Sequence, residues 1–301
     1  MHTAKRVMMV MRTVILVVAI GLFQTVYADE LQEIQKAIKI KKARWVAGRT
    51  SVSELSDELR RSRLGALLPN EKGEGPIYVP KDGALPQQFD WRDTGMVSLV
   101  KDQGNCGSCW AFSTVAALES LTMMQSGIIT PPPDYSEQFL VSYNILNQGC
   151  DGGYMGIVSN FLVRVGTPSE ECLPYRADDR IFPFPCSDWG SEVTRLVTWS
   201  WVDATVEAIK SAVYENPVAT TYMVYKDFYY YESGVYEYVW GKEEGGHAIL
   251  VVGWDDSEQC FMVKNSWGGD WGENGYFRIA YSQLSNEVQF GQSTVNFDGV
   301  Q

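Results

Sequence analysis

The stretch QGNCGSCWAF, residues 103–112, carries Cys106 and Cys109 three positions apart, just ahead of an apolar run. A redox pair, half of a zinc site, a structural bridge, or one bridge half beside a nucleophile can all begin this way. Cys109 follows Ser108 at the expected start of a helix. Unsatisfied backbone N–H groups and the positive end of the helix dipole favour a thiolate there.

The chain has two histidines, His2 and His247. His2 lies in an N-terminal targeting pattern described below, so imidazole chemistry in an exported product rests on His247. That excludes multi-histidine zinc sites. The plainer use of His247 is a satisfied core residue at a strand start. A hairpin gives it more. HAILVVGW (247–254) and QCFMVKNSW (259–267) are joined by DDSE (255–258), a turn of hairpin length. Antiparallel pairing about that turn sets His247 opposite position 266, within one residue of Asn265. An amide oxygen there can accept the Nδ1 proton and fix the tautomer, leaving Nε2 toward a partner. With Cys109 as that partner, thiolate and imidazolium form an ion pair active near neutral or acid pH.

QGNCGSCWAF, GCDGG (149–153), GGHAILVVGW (245–254) and KNSWGGDWGENGYFRI (264–279), in that order, resemble the papain-family cysteine proteases over roughly residues 85–301. Cys109-Trp110 fits the family's local signature, and His247 and Asn265 follow it by 138 and 156 residues. The resemblance implies an α+β, papain-like two-lobe fold. Its N-terminal lobe would be helical, its C-terminal lobe antiparallel and β-barrel-like, with the active-site cleft between them. It implies Cys109 as nucleophile, His247 as general base and then acid, and Asn265 as orienter. Gln103 would aim its side-chain amide at the developing oxyanion beside the backbone N–H of Cys109, and such a donor contributes about 2.7–4 kcal/mol. Trp267 would cover the His–Asn hydrogen bond. Gly152, Gly153 and Gly246 would offer bare backbone to an extended peptide, although a glycine pair also suits a tight turn. The implied reaction is hydrolysis of polypeptides through a thioester acyl-enzyme, with no metal or cofactor. Implied partners are the chain's own prosegment and cystatin-like inhibitors, on a monomer.

The resemblance also sorts the six cysteines. Cys106 would bridge to Cys150, and Cys172 to Cys186 across LPYRADDRIFPFP. A redox pair of Cys106 with Cys109 would want a βαβ setting that the chain does not show, and the spacing matches no structural zinc pattern. Cys260 stands where the family usually has an aromatic residue, and reads as a free, buried strand residue. QFLVSYNILNQGC (138–150) lacks the cysteine that many family members carry at that helix end, and NEVQFGQ (286–292) lacks another, which leaves two bridges and two free thiols. Upstream, ARWVAG followed by a short amphipathic helix resembles the short cathepsin B-like prosegments. The histidine-bearing occluding loop of cathepsin B is absent, so an endopeptidase is expected. A peptide ligase would use the same intermediate with an amine acceptor. A catalytically silent peptide-binding relative is disfavoured by the presence of Gln103, Cys109, His247 and Asn265 together.

Several elements must position these residues. SCWAFSTVAALESLTMMQSG (108–127) reads as a long helix with Phe112, Val115, Leu118 and Leu121 on one face and Gly127 as its stop. Further helices are expected over 136–147 and near 155–165 and 203–214. After 216 the pattern turns strand-like in PVATTYMV (217–224), the hairpin, and GYFRIAY (275–281). Upstream, Leu31, Ile34, Ile38 and Trp45 suggest one helical stripe, SVSE (51–54) a capping box with Ser51 at the cap, and 68–87 an extended linker. These pieces bury too little alone and should pack on the larger domain.

At the N-terminus, Lys5, Arg6 and Arg12 precede VILVVAIGLF (14–23) and VYA (26–28). This pattern reads as a secretory signal removed after Ala28, too short in its apolar part for a stable membrane anchor. The expected plan is a signal over 1–28, an inhibitory prosegment over 29–84 and a peptidase domain over 85–301, in an extracellular or lysosomal/vacuolar setting that permits disulfides. Residues 29–85 carry 11 basic and 9 acidic side chains, and residues 86–301 carry 11 and 28. That acidity repels phosphate and argues against nucleic acid as a partner. The contrast predicts a prosegment held partly by charge and released on acidification.

Overall fold

The computed structural model describes residues 30–69, 73–81, 83–180 and 182–301; the expected signal lies outside them. Residues 30–41 are helical (α1), followed by β1 (Trp45–Ala47) and α2 (Asp57–Arg61). The stripe expectation holds for Ile34, which is fully buried, and for Leu31 and Ile38, which pack beside it. It fails for Trp45. Lys42 takes a left-handed φ of 56°, which ends the helix, and Trp45 instead pairs with Gly234 in a sheet. The capping box also falls elsewhere. Thr50 and Ser53 bond each other's backbone N–H groups in a turn, and α2 begins later, with Ser56 accepting from the Leu59 N–H.

The helical lobe is built on α3 (Cys109–Ser126), with α4 (Glu137–Tyr143) and α5 (Met155–Arg164) against it. Gly127 closes α3 at φ 68° with its N–H on the Met123 carbonyl. α3 is covered nearly all round rather than along one stripe. Trp110, Val115 and Leu118 are buried, and so are Thr114, Glu119 and Ser120, as befits a central helix. The Ser108 hydroxyl makes no cap; it bonds the Tyr175 hydroxyl at 2.6 Å.

The second lobe contains β3 (Leu196–Val202), α6 (Val206–Glu215), β4 (Val218–Tyr225), β5 (Tyr231–Tyr236), β6 (Glu243–Asp255), β7 (Cys260–Lys264), β8 (Tyr276–Ala280) and β9 (Thr294–Val300). Strand order is β1-β5-β8-β7-β6-β4-β9-β3, and β2 (Gln88–Asp90) pairs with β6. Pairing is antiparallel except between β5 and β8, and the sheet stays open. Its core is aromatic, with Tyr222, Phe228, Trp267, Trp271 and Phe277 packed together. α3 lies directly on β6. The two elements expected to carry the nucleophile and the base are therefore in contact, with a groove between their lobes. Among the described residues no helix is long and apolar enough to cross a membrane.

Candidate active site

Cys109 opens α3 and is fully buried. The backbone N–H groups of Ala248, Gly65, Trp110 and Cys109 itself act on its thiol. The first places the thiol one residue along β6 from His247. The second comes from the N-terminal segment. Cys109 is thus set beside the residue that follows His247 on β6, with Gly65 of the segment at the thiol. Burial pushes the thiol up to about 11, against the lowering effect of those N–H groups.

His247 is also fully buried. Its Nε2 lies 2.8 Å from Asn265 Oδ1, while Nδ1 has no hydrogen-bond partner among the described residues. The two nitrogens have the reverse of the roles expected from the sequence. Asn265 Oδ1 also accepts from the Ser266 N–H at 2.8 Å. That bond fixes which end of the amide is the oxygen, so Nε2 must be the donor. The hairpin explains the difference. Its turn covers 256–259, and β6–β7 pairing shifts between Val251↔Val263 and Gly253↔Met262. Asn265 lies just past the end of β7 and approaches the far side of the ring. Burial lowers the His247 pKa to about 4, with the Asn265 bond acting in the opposite direction. Trp267, buried, stacks obliquely on the imidazole at 4.7 Å between centroids.

Gln103 joins the lobes. Its N–H donates to the Ser266 carbonyl at 2.9 Å, and its Oε1 accepts from Ser266 Oγ at 2.7 Å. Its Nε2 donates to the carbonyls of Cys106 at 2.8 Å and of Arg63 at 2.9 Å. The Arg63 carbonyl thus occupies the donor expected to hold an oxyanion. Tyr175, which no motif singled out, donates from its hydroxyl to the Gln103 carbonyl at 2.8 Å while bonding Ser108.

The glycines meet the same segment. Gly153 donates to the Gly65 carbonyl at 2.8 Å and accepts from the Leu67 N–H at 3.0 Å, and the Gly246 carbonyl accepts from the Ala66 N–H at 3.0 Å. A Cβ on Gly246 would collide with the Ala66 carbonyl oxygen, and one on Gly65 with that of Gly107. Gly152 packs on the Gly65 carbonyl and Leu67. Residues 63–67 therefore fill the groove from Gln103 to Gly153, in parallel to Gly153. Cys106–Cys150 and Cys172–Cys186 are disulfides, and Cys109 and Cys260 are free and buried. The first bridge ties the turn before α3 to the Gly152–Gly153 wall.

Residues 85–296 match the papain family cysteine protease profile. Cathepsin B-like CP2 of Giardia intestinalis is 36% identical over 262 residues, covering 80% of this chain and 86% of its own. Cathepsin B-like CP3 of the same organism is 36% identical over 277 residues, covering 86% and 90%. Among solved structures, the digestive procathepsin L2 proteinase from Tenebrio molitor larval midgut superposes with a TM-score of 0.80 at 27% identity, covering 92% of this chain and 91% of that one.

Proposed function

The chain belongs to the papain family of cysteine proteases and is a zymogen of a papain-like endopeptidase; on that premise we propose roles for its site residues. When the prosegment leaves, the Cys109 thiol passes its proton to His247 Nδ1, and the sulfur attacks a peptide carbonyl. The oxyanion is held by Gln103 Nε2 and the Cys109 N–H. His247 returns the proton to the departing amine as the C–N bond breaks, leaving a thioester. It then takes a proton from water, whose oxygen attacks the thioester and restores the thiol. Asn265 keeps the ring oriented through Nε2, and Trp267 keeps water from that bond. Gly152, Gly153 and Gly246 give backbone bonds to an extended polypeptide.

The observation that carries this reading is a peptide already in place. Gln103 holds the Arg63 carbonyl, and Gly65, whose N–H acts on the Cys109 thiol, is held through its carbonyl by the Gly153 N–H. The proposed organisation is a signal over 1–28, a prosegment over 29–84 and a peptidase domain over 85–301. The destination is the extracellular space or a lysosome or vacuole.

The test is to activate the full chain, treat it with a thiol-reactive epoxide, map the adduct, and follow peptide cleavage with and without an added amine. A single adduct on Cys109, with matching loss of hydrolysis, is expected. Labelling of Cys106, or an intact adduct-free enzyme that cleaves nothing, overturns the assignment. Amide products in place of acids would make the protein a ligase.

A further inference from the structure

Glu244 lies on β6, three residues before His247. Its side chain is 1% exposed, and Arg61 of the prosegment pairs with it, with Nη1 at 3.2 Å from Oε2. Oε1 has no hydrogen-bond partner among the described residues. The nearest cation on the peptidase side is Lys242, at 4.0 Å and 68% exposed. The wall that binds the prosegment thus holds a basic side chain on a sheltered carboxylate.

The position of this contact along the groove can be read from β6. The Gly246 carbonyl bonds residue 66, Gly245 faces the Leu64 side chain, and Glu244 meets Arg61. Across the groove, Gln103 meets residue 63, Cys109 residue 65, and Gly153 residues 65 and 67. Glu244 and Gly153 therefore lie on opposite sides of the nucleophile. Departure of the prosegment removes Arg61 and leaves at the cleft wall a carboxylate whose Oε1 carries only the long 4.0 Å contact to Lys242. Close by is the Tyr229 hydroxyl, which also has no partner among the described residues and feels the Glu244 charge.

Resting on the protease reading above, we propose that Glu244 forms a subsite for a basic side chain of the polypeptide substrate, on the far side of the scissile bond from the residues paired with Gly153. An arginine or lysine there replaces Arg61. Charge-assisted hydrogen bonds at a partly enclosed carboxylate favour it over a neutral side chain of equal size. In the precursor, Arg61 is the intramolecular mimic of that substrate residue.

The experiment uses the full chain, matured and counted by active-site titration. Peptides carry arginine, lysine or uncharged citrulline at each position on either side of the cleaved bond, and products are mapped by mass spectrometry. Arginine should exceed citrulline in kcat/KM by about tenfold at one position on the side away from Gly153. Glu244→Gln should bring that ratio close to one. The ratio on the unaltered enzyme remains decisive if Glu244→Gln does not fold. Equal rates for arginine and citrulline at every position overturn the subsite while leaving the protease reading intact, since cleavage is still seen. Failure of all peptides, with no epoxide adduct on Cys109, overturns both.

Discussion

The Gln103 side-chain amide donates to the Arg63 carbonyl at 2.9 Å, so the proposed oxyanion donor is already filled by the chain's own backbone. Two residues on, Gly65 lies so close to Gly107 that a Cβ would overlap its carbonyl oxygen. Gly65→Val should lift residues 63–67 off the groove. Overpacking of this kind costs about 1–3 kcal/mol, so alkylation of Cys109 in the uncleaved precursor should accelerate about tenfold or more. An unchanged rate would mean that the cover is held elsewhere.

The covered site keeps its two reacting groups neutral. Burial raises the Cys109 thiol to about 11 and lowers His247 to about 4. Between those values the precursor holds thiol and imidazole rather than thiolate and imidazolium. Its alkylation rate should climb with pH toward about 11 without a shoulder near neutrality. Once the prosegment is gone, water and the ion pair bring the thiolate into the neutral and acid range. Iodoacetamide rates across pH, before and after maturation, measure both profiles.

Asn265 accepts from His247 Nε2 and from the Ser266 N–H, both at 2.8 Å. Nitrogen-15 NMR of the precursor should therefore find the His247 proton on Nε2. Asn265→Ala frees the ring to rotate, and loss of alignment at a reacting centre costs about 10²-fold in kcat. KM should change little, because Asn265 bonds no part of the groove's occupant among the described residues.

Much of this was legible in local pattern. The apolar run with a terminal glycine marked α3, alternation and a four-residue turn marked the β6–β7 hairpin, and ordered motifs pointed to residues that line one groove. Features set by distant partners were not legible. Trp45 has an apolar side chain that suits a helix face or a strand equally, and Lys42 decides between them. β3, β5 and β9 are short runs whose neighbours in the sheet lie far along the chain, such as Val202 with Thr294. The His247 nitrogen roles depend on a register shift inside the hairpin, which no alternation reveals.

Tyr175 is the clearest such case. It sits in a loop closed by Cys172–Cys186, and its hydroxyl reaches both the Gln103 carbonyl and Ser108, joining the oxyanion donor to the start of the nucleophile's helix. Phe112 packs edge-on against its ring at 4.8 Å. Tyr175→Phe keeps the ring and removes both bonds. Stability should fall by about 1–3 kcal/mol, seen as a lower Tm. The kcat of the matured enzyme should fall more than its KM rises, because Gln103 then loses one of its tethers, the others being Ser266 and the Cys106 carbonyl.

Acid should act on the cover and on the domain in opposite senses. Arg61–Glu244, Arg63–Asp102, Lys226–Asp57 and Arg44–Glu237 all cross the boundary between prosegment and peptidase. Protonating carboxylates removes one charge of each pair, and the pairs act together although each exposed one is weak. Asp227 behaves differently. Burial raises it to about 7 despite bonds from the Tyr236 hydroxyl and the Val239 and Trp240 N–H groups. A carboxyl whose folded pKa lies above its unfolded value binds protons more tightly when folded, so stability grows as pH falls from about 7 toward 4. Lys264, lowered to about 8 by burial, exerts its effect above that pH and is constant below it. Mature product should appear faster at about pH 4.5 than at about pH 7.5, within the carboxylate range. The matured domain should melt higher at the acid end, and Asp227→Asn should reduce that rise, with Glu137 and Glu170, raised by burial to about 8 and about 7, contributing the remainder. Equal release rates at the two pH values would remove charge from the account of activation, whatever the melting curves show.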